Sequence, residues 1–115
     1  MYIIVKENAP LGHAINCAAH AAVGVFVKFQ NHQDTQEWIK SSFRKVTCVA
    51  SDDEFEMMKQ QPDSFLMIED DLNGGKEVAL GFRPRREWPK AFWRLRLYGS
   101  KQKTRQATVC SGSSS

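Results

Sequence analysis

The chain has 115 residues, 42% hydrophobic and 25% charged, with 16 Lys and Arg against 13 Asp and Glu and a formal net charge of +3. That length and composition suit one soluble globular domain with a single core that needs no staples. No apolar run approaches the roughly 20 residues of a membrane span. The three widely spaced cysteines (Cys17, Cys48 and Cys110) include no Cys-x-x-Cys pair, which suits a reduced, cytoplasmic protein rather than a disulfide scaffold.

Met1 leads straight into Tyr2-Ile3-Ile4-Val5-Lys6, a β-branched run that reads as a central strand, and no signal peptide is visible ahead of it. Residues 7–11 hold Asn8 and Pro10 and read as a loop. A long helix is expected over residues 12–30. Its near-lack of charge marks it as buried almost all round, although it carries Asn16, Cys17, His13 and His20. Polar groups in such a helix need partners. Those in its first turn would lie beyond the carboxyl ends of the strands, where sites of open α/β folds sit.

Asp34 and Glu37 stand three apart, as in a capping box, so a second helix is expected from Asp34, with Trp38, Ile39 and Phe43 on its apolar face. Val46-Thr47-Cys48-Val49-Ala50 reads as a second strand. Ser51 and Glu54 form a capping box for a third helix, which runs to about Gln61 before Pro62 and packs Phe55 and Met58. Residues 64–69 and 78–82 read as strands joined by the turn signal Asn73-Gly74-Gly75, a hairpin. Trp88-Pro89 opens a final helix with Phe92, Trp93, Leu95 and Leu97 as its contacts. The fold expected is α/β, a mixed four-stranded sheet with helices on both faces in the order β-α-α-β-α-β-β-α, its first two strands parallel. The domain covers residues 1–99. Residues 100–115 form a polar tail expected to be disordered.

Charge is segregated along the chain. Residues 52–71 hold eight acids against Lys59, and residues 82–105 hold nine bases against Glu87. In the basic segment, Trp88 and Trp93 interleave with Arg85, Arg86, Lys90, Arg94 and Arg96, a mixture suited to stacking on unpaired bases and neutralising phosphate. The plainer alternative is a solvated face with the Trp rings packed inward. That applies more to Trp93, which leaves Trp88 as the better candidate for an exposed ring.

His13, Cys17 and His20 stand at i, i+4 and i+7 on one helical face. The three would span roughly 10 Å along the axis, too far for one zinc ion. The pairs His13 with Cys17, or Cys17 with His20, are incomplete, so neither a metal nor a cofactor is expected. Cys17 is better placed as a small buried residue than as a nucleophile, and His20 as a hydrogen-bonded core residue.

The sequence resembles the type-2 peptidyl-tRNA hydrolase family across residues 1–99. Gly12-His13 occupies the place of that family's Gly-Lys, and His20-Ala21-Ala22-Val23-Gly24 matches its His-Ala-Ala stretch. Val78-Ala79-Leu80-Gly81-Phe82-Arg83-Pro84 is similar to its Val-Leu-Gly-Ile-Gly-Pro, and Arg94-Leu95-Arg96-Leu97-Tyr98 to its His-Leu-Lys-Leu-Tyr. His13 stands for the family's Lys and Cys17 for its Gln. The family's strand-end Asp is best matched by Asp70, and the loop that follows is shorter than the family's Gly-Arg-Thr loop, with no Thr or Arg. The helix is similar also to an uncharacterised sister family that has an Asn where Asn16 stands.

The resemblance implies hydrolysis of the ester in peptidyl- or aminoacyl-tRNA, with tRNA as partner. Such chemistry needs an activated water and a stabilised oxyanion. His13 would be the base, since imidazole titrates near neutral pH, and Asp70 would orient it. Gly12, Asn16, Cys17 and Glu69 would line the site, and Arg85, Arg86, Trp88, Arg94 and Arg96 would hold RNA. The alternative is a binding module for RNA or protein that kept the fold and lost the catalytic set.

Overall fold

The computed structural model describes residues 1–71 and 74–100, and of residues 71 and 74 only the backbone. The elements in chain order are β1 (Tyr2–Lys6), α1 (Leu11–Phe29), α2 (Gln33–Lys40), β2 (Val46–Ala50), α3 (Asp52–Met58), β3 (Ser64–Asp71), β4 (Gly74–Phe82), α4 (Lys90–Trp93) and β5 (Arg96–Leu97). Five strands form one mixed sheet in the order β3-β4-β1-β2-β5. β1 runs parallel to β2 and antiparallel to β4. β3 and β5 close the two edges antiparallel to β4 and β2.

Alternation along the central strand divides the core in two. Ile3 and Val5 face Ala14, Cys17, Ala21 and Val25 of α1 and Trp38 of α2. Tyr2 and Ile4 face Phe55 and Met58 of α3 and Phe92 of α4. Helices therefore cover both faces, as the mixed α/β pattern implies. The register of β3 on β4 shifts between Met67 and Ile68, so that Met67 opposes Ala79 and Ile68 opposes Glu77. The extra residue on β4 is Val78. The bulge lets Val78 and Ala79 both join the α1 side of the core.

The sheet has five strands rather than the expected four. The apolar residues after Pro89 do not continue as the one helix expected from them: α4 ends after a single turn at Trp93. The chain then extends as β5, with Leu97 opposite Cys48 and Arg96 opposite Val49. Leu95 and Leu97 alternate at period two, and the edge of β2 supplies backbone partners that a longer helix would leave unpaired.

Other boundaries move as well, α1 to Leu11–Phe29 and the end of β3 to Asp71 among them. α2 is capped by His32, whose Nδ1 accepts from the Asp34 backbone N–H at 3.1 Å, not by an Asp34–Glu37 box. α3 keeps its Ser51–Glu54 capping box but ends at Met58. β4 begins at Gly74, so that Gly74 and Gly75 already pair with Asp71 and Asp70. Asn73 of the expected turn and all but the first residue of the expected tail lie outside the described residues.

α1 departs from its expected burial. Ala14, Cys17, Ala21 and Val25 form its buried stripe. Leu11, Ile15, Val23 and Val27, spaced by multiples of four, are exposed. The helix is apolar nearly all round, yet among the described residues its fully buried positions are those turned toward the sheet and Trp38. Among the described residues, no helix is long and apolar enough to cross a membrane.

Candidate functional site

β1 ends at Lys6, and residues 7–10 carry the chain over the sheet's end into α1. Pro10 starts the helix without a side-chain cap, and the first intrahelical bond runs from the Ala14 N–H to the Pro10 carbonyl at 2.8 Å. The N–H groups of Leu11, Gly12 and His13 thus have no partner within the helix and form the positive pole of its dipole. Around Gly12 the space is open: a β-carbon there would meet nothing within 4 Å.

β3 runs in the same direction as β1, because both are antiparallel to β4. Its last residues therefore reach the same end of the sheet as the first turn of α1. Phe65 and Met67 pack on the α1 side of the core, and Leu66 on the other. That parity sends Glu69 toward α1 and Asp70 to the opposite face. Glu69 Oε1 lies 3.7 Å from His13 Nε2. The acid at the imidazole is thus Glu69, where Asp70 was expected. Asp70 is exposed and makes no ion pair among the described residues.

One helical turn on, Cys17 Sγ lies 3.5 Å from the same His13 Nε2. Cys17 is buried, while His13 and Glu69 retain 36% and 47% of their side-chain exposure. Burial, then the Glu69 carboxylate, pushes the Cys17 thiol above its ordinary pKa. A thiol so placed stays protonated and is a poor nucleophile. Cys17 and Cys48 are both free thiols. His20, expected in the core, is exposed, as is Asn16.

The donor atoms of His13, Cys17 and Glu69 all lie within 4.8 Å of one another, so they could hold a metal ion. The third member comes from β3, not from the helix. A sequence pattern confined to α1 could not reveal it. Its only signal was the parity of β3, and four consecutive apolar residues, Phe65 to Ile68, hid that parity.

The residues expected to hold RNA do not form one surface. Arg85, Arg86 and Trp88 line a cleft of about 630 Å³ together with Trp93, Arg44 and Glu37. Met1 and Tyr2 are in its wall, so it lies at the amino-terminal end of β1. The five residues of β1, about 16 Å of strand, separate that end from His13. Arg96 is instead at the His13 end, opposite Val49 and paired with Glu7.

The guanidinium groups of the cleft are already engaged. Arg86 lies 3.0 Å from Glu37, and Arg85 donates to the Pro62 carbonyl at 3.3 Å and stacks 4.9 Å over Trp88. Trp88, expected to be exposed, packs 4.6 Å from Tyr2 and 4.9 Å from Phe92. Trp93, expected to be packed, is 45% exposed. The short α4 reverses the two rings, because it turns the chain before a second helical turn could bury Trp93. Arg94 is exposed and has no ion pair among the described residues.

The chain matches no protein-family model and no curated protein.

Proposed function

We propose that the protein is a hydrolase of the peptidyl-tRNA hydrolase kind, cleaving the ester between an acyl or peptidyl group and the 3′ end of tRNA, with His13 and Glu69 as its working pair. One observation carries the reading: the His13 imidazole stands at the open first turn of α1 with the Glu69 carboxylate 3.7 Å from Nε2. The substrate class comes from the resemblance of α1 and of the segments around β4 and β5 to that family.

In this reading, His13 takes a proton from water as the water oxygen attacks the ester carbonyl. The carbonyl oxygen becomes an oxyanion, for which the first-turn N–H groups of Gly12 and His13 would be the donors. The tetrahedral intermediate collapses by breaking the bond to the tRNA oxygen, which leaves with the proton held by His13. Glu69, rather than Asp70, stabilises the imidazolium between the two steps. Cys17 takes no part as a nucleophile, since its thiol is held protonated.

The test is release of N-acetyl-aminoacyl groups from charged tRNA. The wild-type protein should exceed the uncatalysed rate, and His13→Ala should lower the rate by about 10²–10⁴-fold. Glu69→Gln should lower it less, and Asp70→Asn should leave it unchanged. A wild-type rate equal to buffer, or full activity in His13→Ala, would sink the reading and leave a binding protein of the same fold.

A further inference from the structure

The geometry points to a binding site for a zinc-class divalent ion, made of His13 Nε2, Cys17 Sγ and a Glu69 carboxylate oxygen, with a fourth position open to solvent. This inference does not rest on the hydrolase reading.

Distances decide it first. A tetrahedral ion with bonds of about 2.0–2.3 Å needs its donor atoms about 3.3–3.6 Å apart. His13 Nε2 stands 3.5 Å from Cys17 Sγ and 3.7 Å from Glu69 Oε1. The widest separation within the three is no more than 4.8 Å. The helical pair is already at ligand spacing, and i, i+4 is the spacing that lets two side chains of one helix share an ion. The remaining gap closes by rotation of Glu69, a half-exposed side chain on an edge strand.

Charge and softness agree with the distances. The positive pole of α1 opposes a bare cation at this position. A thiolate and a carboxylate bring two negative charges, which match the ion and offset that pole. The ion displaces the thiol proton, which passes to bulk water, so that Cys17 coordinates as a thiolate. Sulfur and imidazole donors favour zinc over magnesium and calcium, which take oxygen. Three protein ligands with one face open to water is the ligand count of a reactive zinc site rather than of a closed structural one. Binding commits the Nε2 electron pair, so the loaded site has no free imidazole base.

The experiment titrates Co²⁺ into the reduced full-length protein carrying Cys110→Ser, which removes the thiol outside the described residues. One Co²⁺ per chain should bind, with the visible bands of a four-coordinate ion and a sulfur-to-cobalt charge-transfer band. Zinc should displace it stoichiometrically, and magnesium should not. Cys17→Ala should abolish the charge-transfer band. Glu69→Gln, at an exposed edge, should weaken zinc binding by at least about 10–100-fold while the thermal unfolding of the metal-free protein stays as in the wild type. Absence of the charge-transfer band, its survival in Cys17→Ala, or unchanged zinc affinity in Glu69→Gln would each overturn the inference.

Discussion

Gly81 shows how closely α1 approaches the sheet. A β-carbon at Gly81 would stand 2.3 Å from Val25 Cγ2 and 3.2 Å from the Ala21 carbonyl oxygen. The first contact is with a side chain, and the second is with helix backbone that cannot rotate away. Gly81→Ala must therefore push α1 outward, and overpacking of this kind costs about 1–3 kcal/mol. Thermal unfolding should fall by about 4–8 °C for each kcal/mol lost. Adding Val25→Ala should recover part of that loss, because the two groups collide directly and contacting sites are not additive. Additive losses in the double variant would show that Val25 is not the obstacle. The same closeness matters at the candidate site: helix and sheet must be this near for His13 and Glu69 to meet across them.

α1 is the part whose sequence misled and whose structure explains why. An uncharged helix reads as buried on every side. Among the described residues, Ala14, Cys17, Ala21 and Val25 form the buried stripe, flanked by the partly buried Ala18, Ala22, Phe26 and Phe29, and small residues are needed in that stripe because the sheet lies so near. Val25 and Val23 allow a matched comparison, with identical side chains two positions apart. Val25 is fully buried and Val23 is 63% exposed. Val25→Ala should cost about 1.5–3 kcal/mol in urea unfolding. Val23→Ala should stay within about 0.5 kcal/mol, as surface changes do. A comparable loss at Val23 would mean that another surface covers this face in solution. Periodicity could not distinguish the two valines, because polar residues mark the outer face of most helices and α1 has almost none.

The sequence disclosed the order of the first eight elements and the end of the sheet where His13 lies. It did not disclose β5, which exists only because the edge of β2 offers it partners, nor the choice of Glu69 over Asp70. It also showed the separation of charge without its meaning. Among the described bases after Phe82, Arg83, Arg85, Arg86 and Arg96 each pair with a carboxylate, drawn from Asp34, Asp63, Glu37 and Glu7. The fold thus brings distant acids onto a segment that read as a free basic surface.

Arg83 is the clearest case. It is buried, and its guanidinium donates to Asp34 of α2 and to Asp63 before β3, each at 2.9 Å. One cation thereby ties a helix, a loop and the end of β4. The Arg83 hydrogen bond holds the Asp63 carboxyl below its usual pKa. A carboxyl depressed in the folded state adds stability that is full above its unfolded value, about pH 3.9, and is lost as pH falls through the folded value. The Asp63 side chain is 40% exposed, so water screens part of the effect. Arg83→Met removes the linkage while keeping much of the aliphatic volume. Wild type should therefore be the more stable at pH 7, and the difference in urea midpoint should shrink as pH drops from about 4 toward 2. A difference that stays constant over that range would show that the three segments are held by packing rather than by the buried cation.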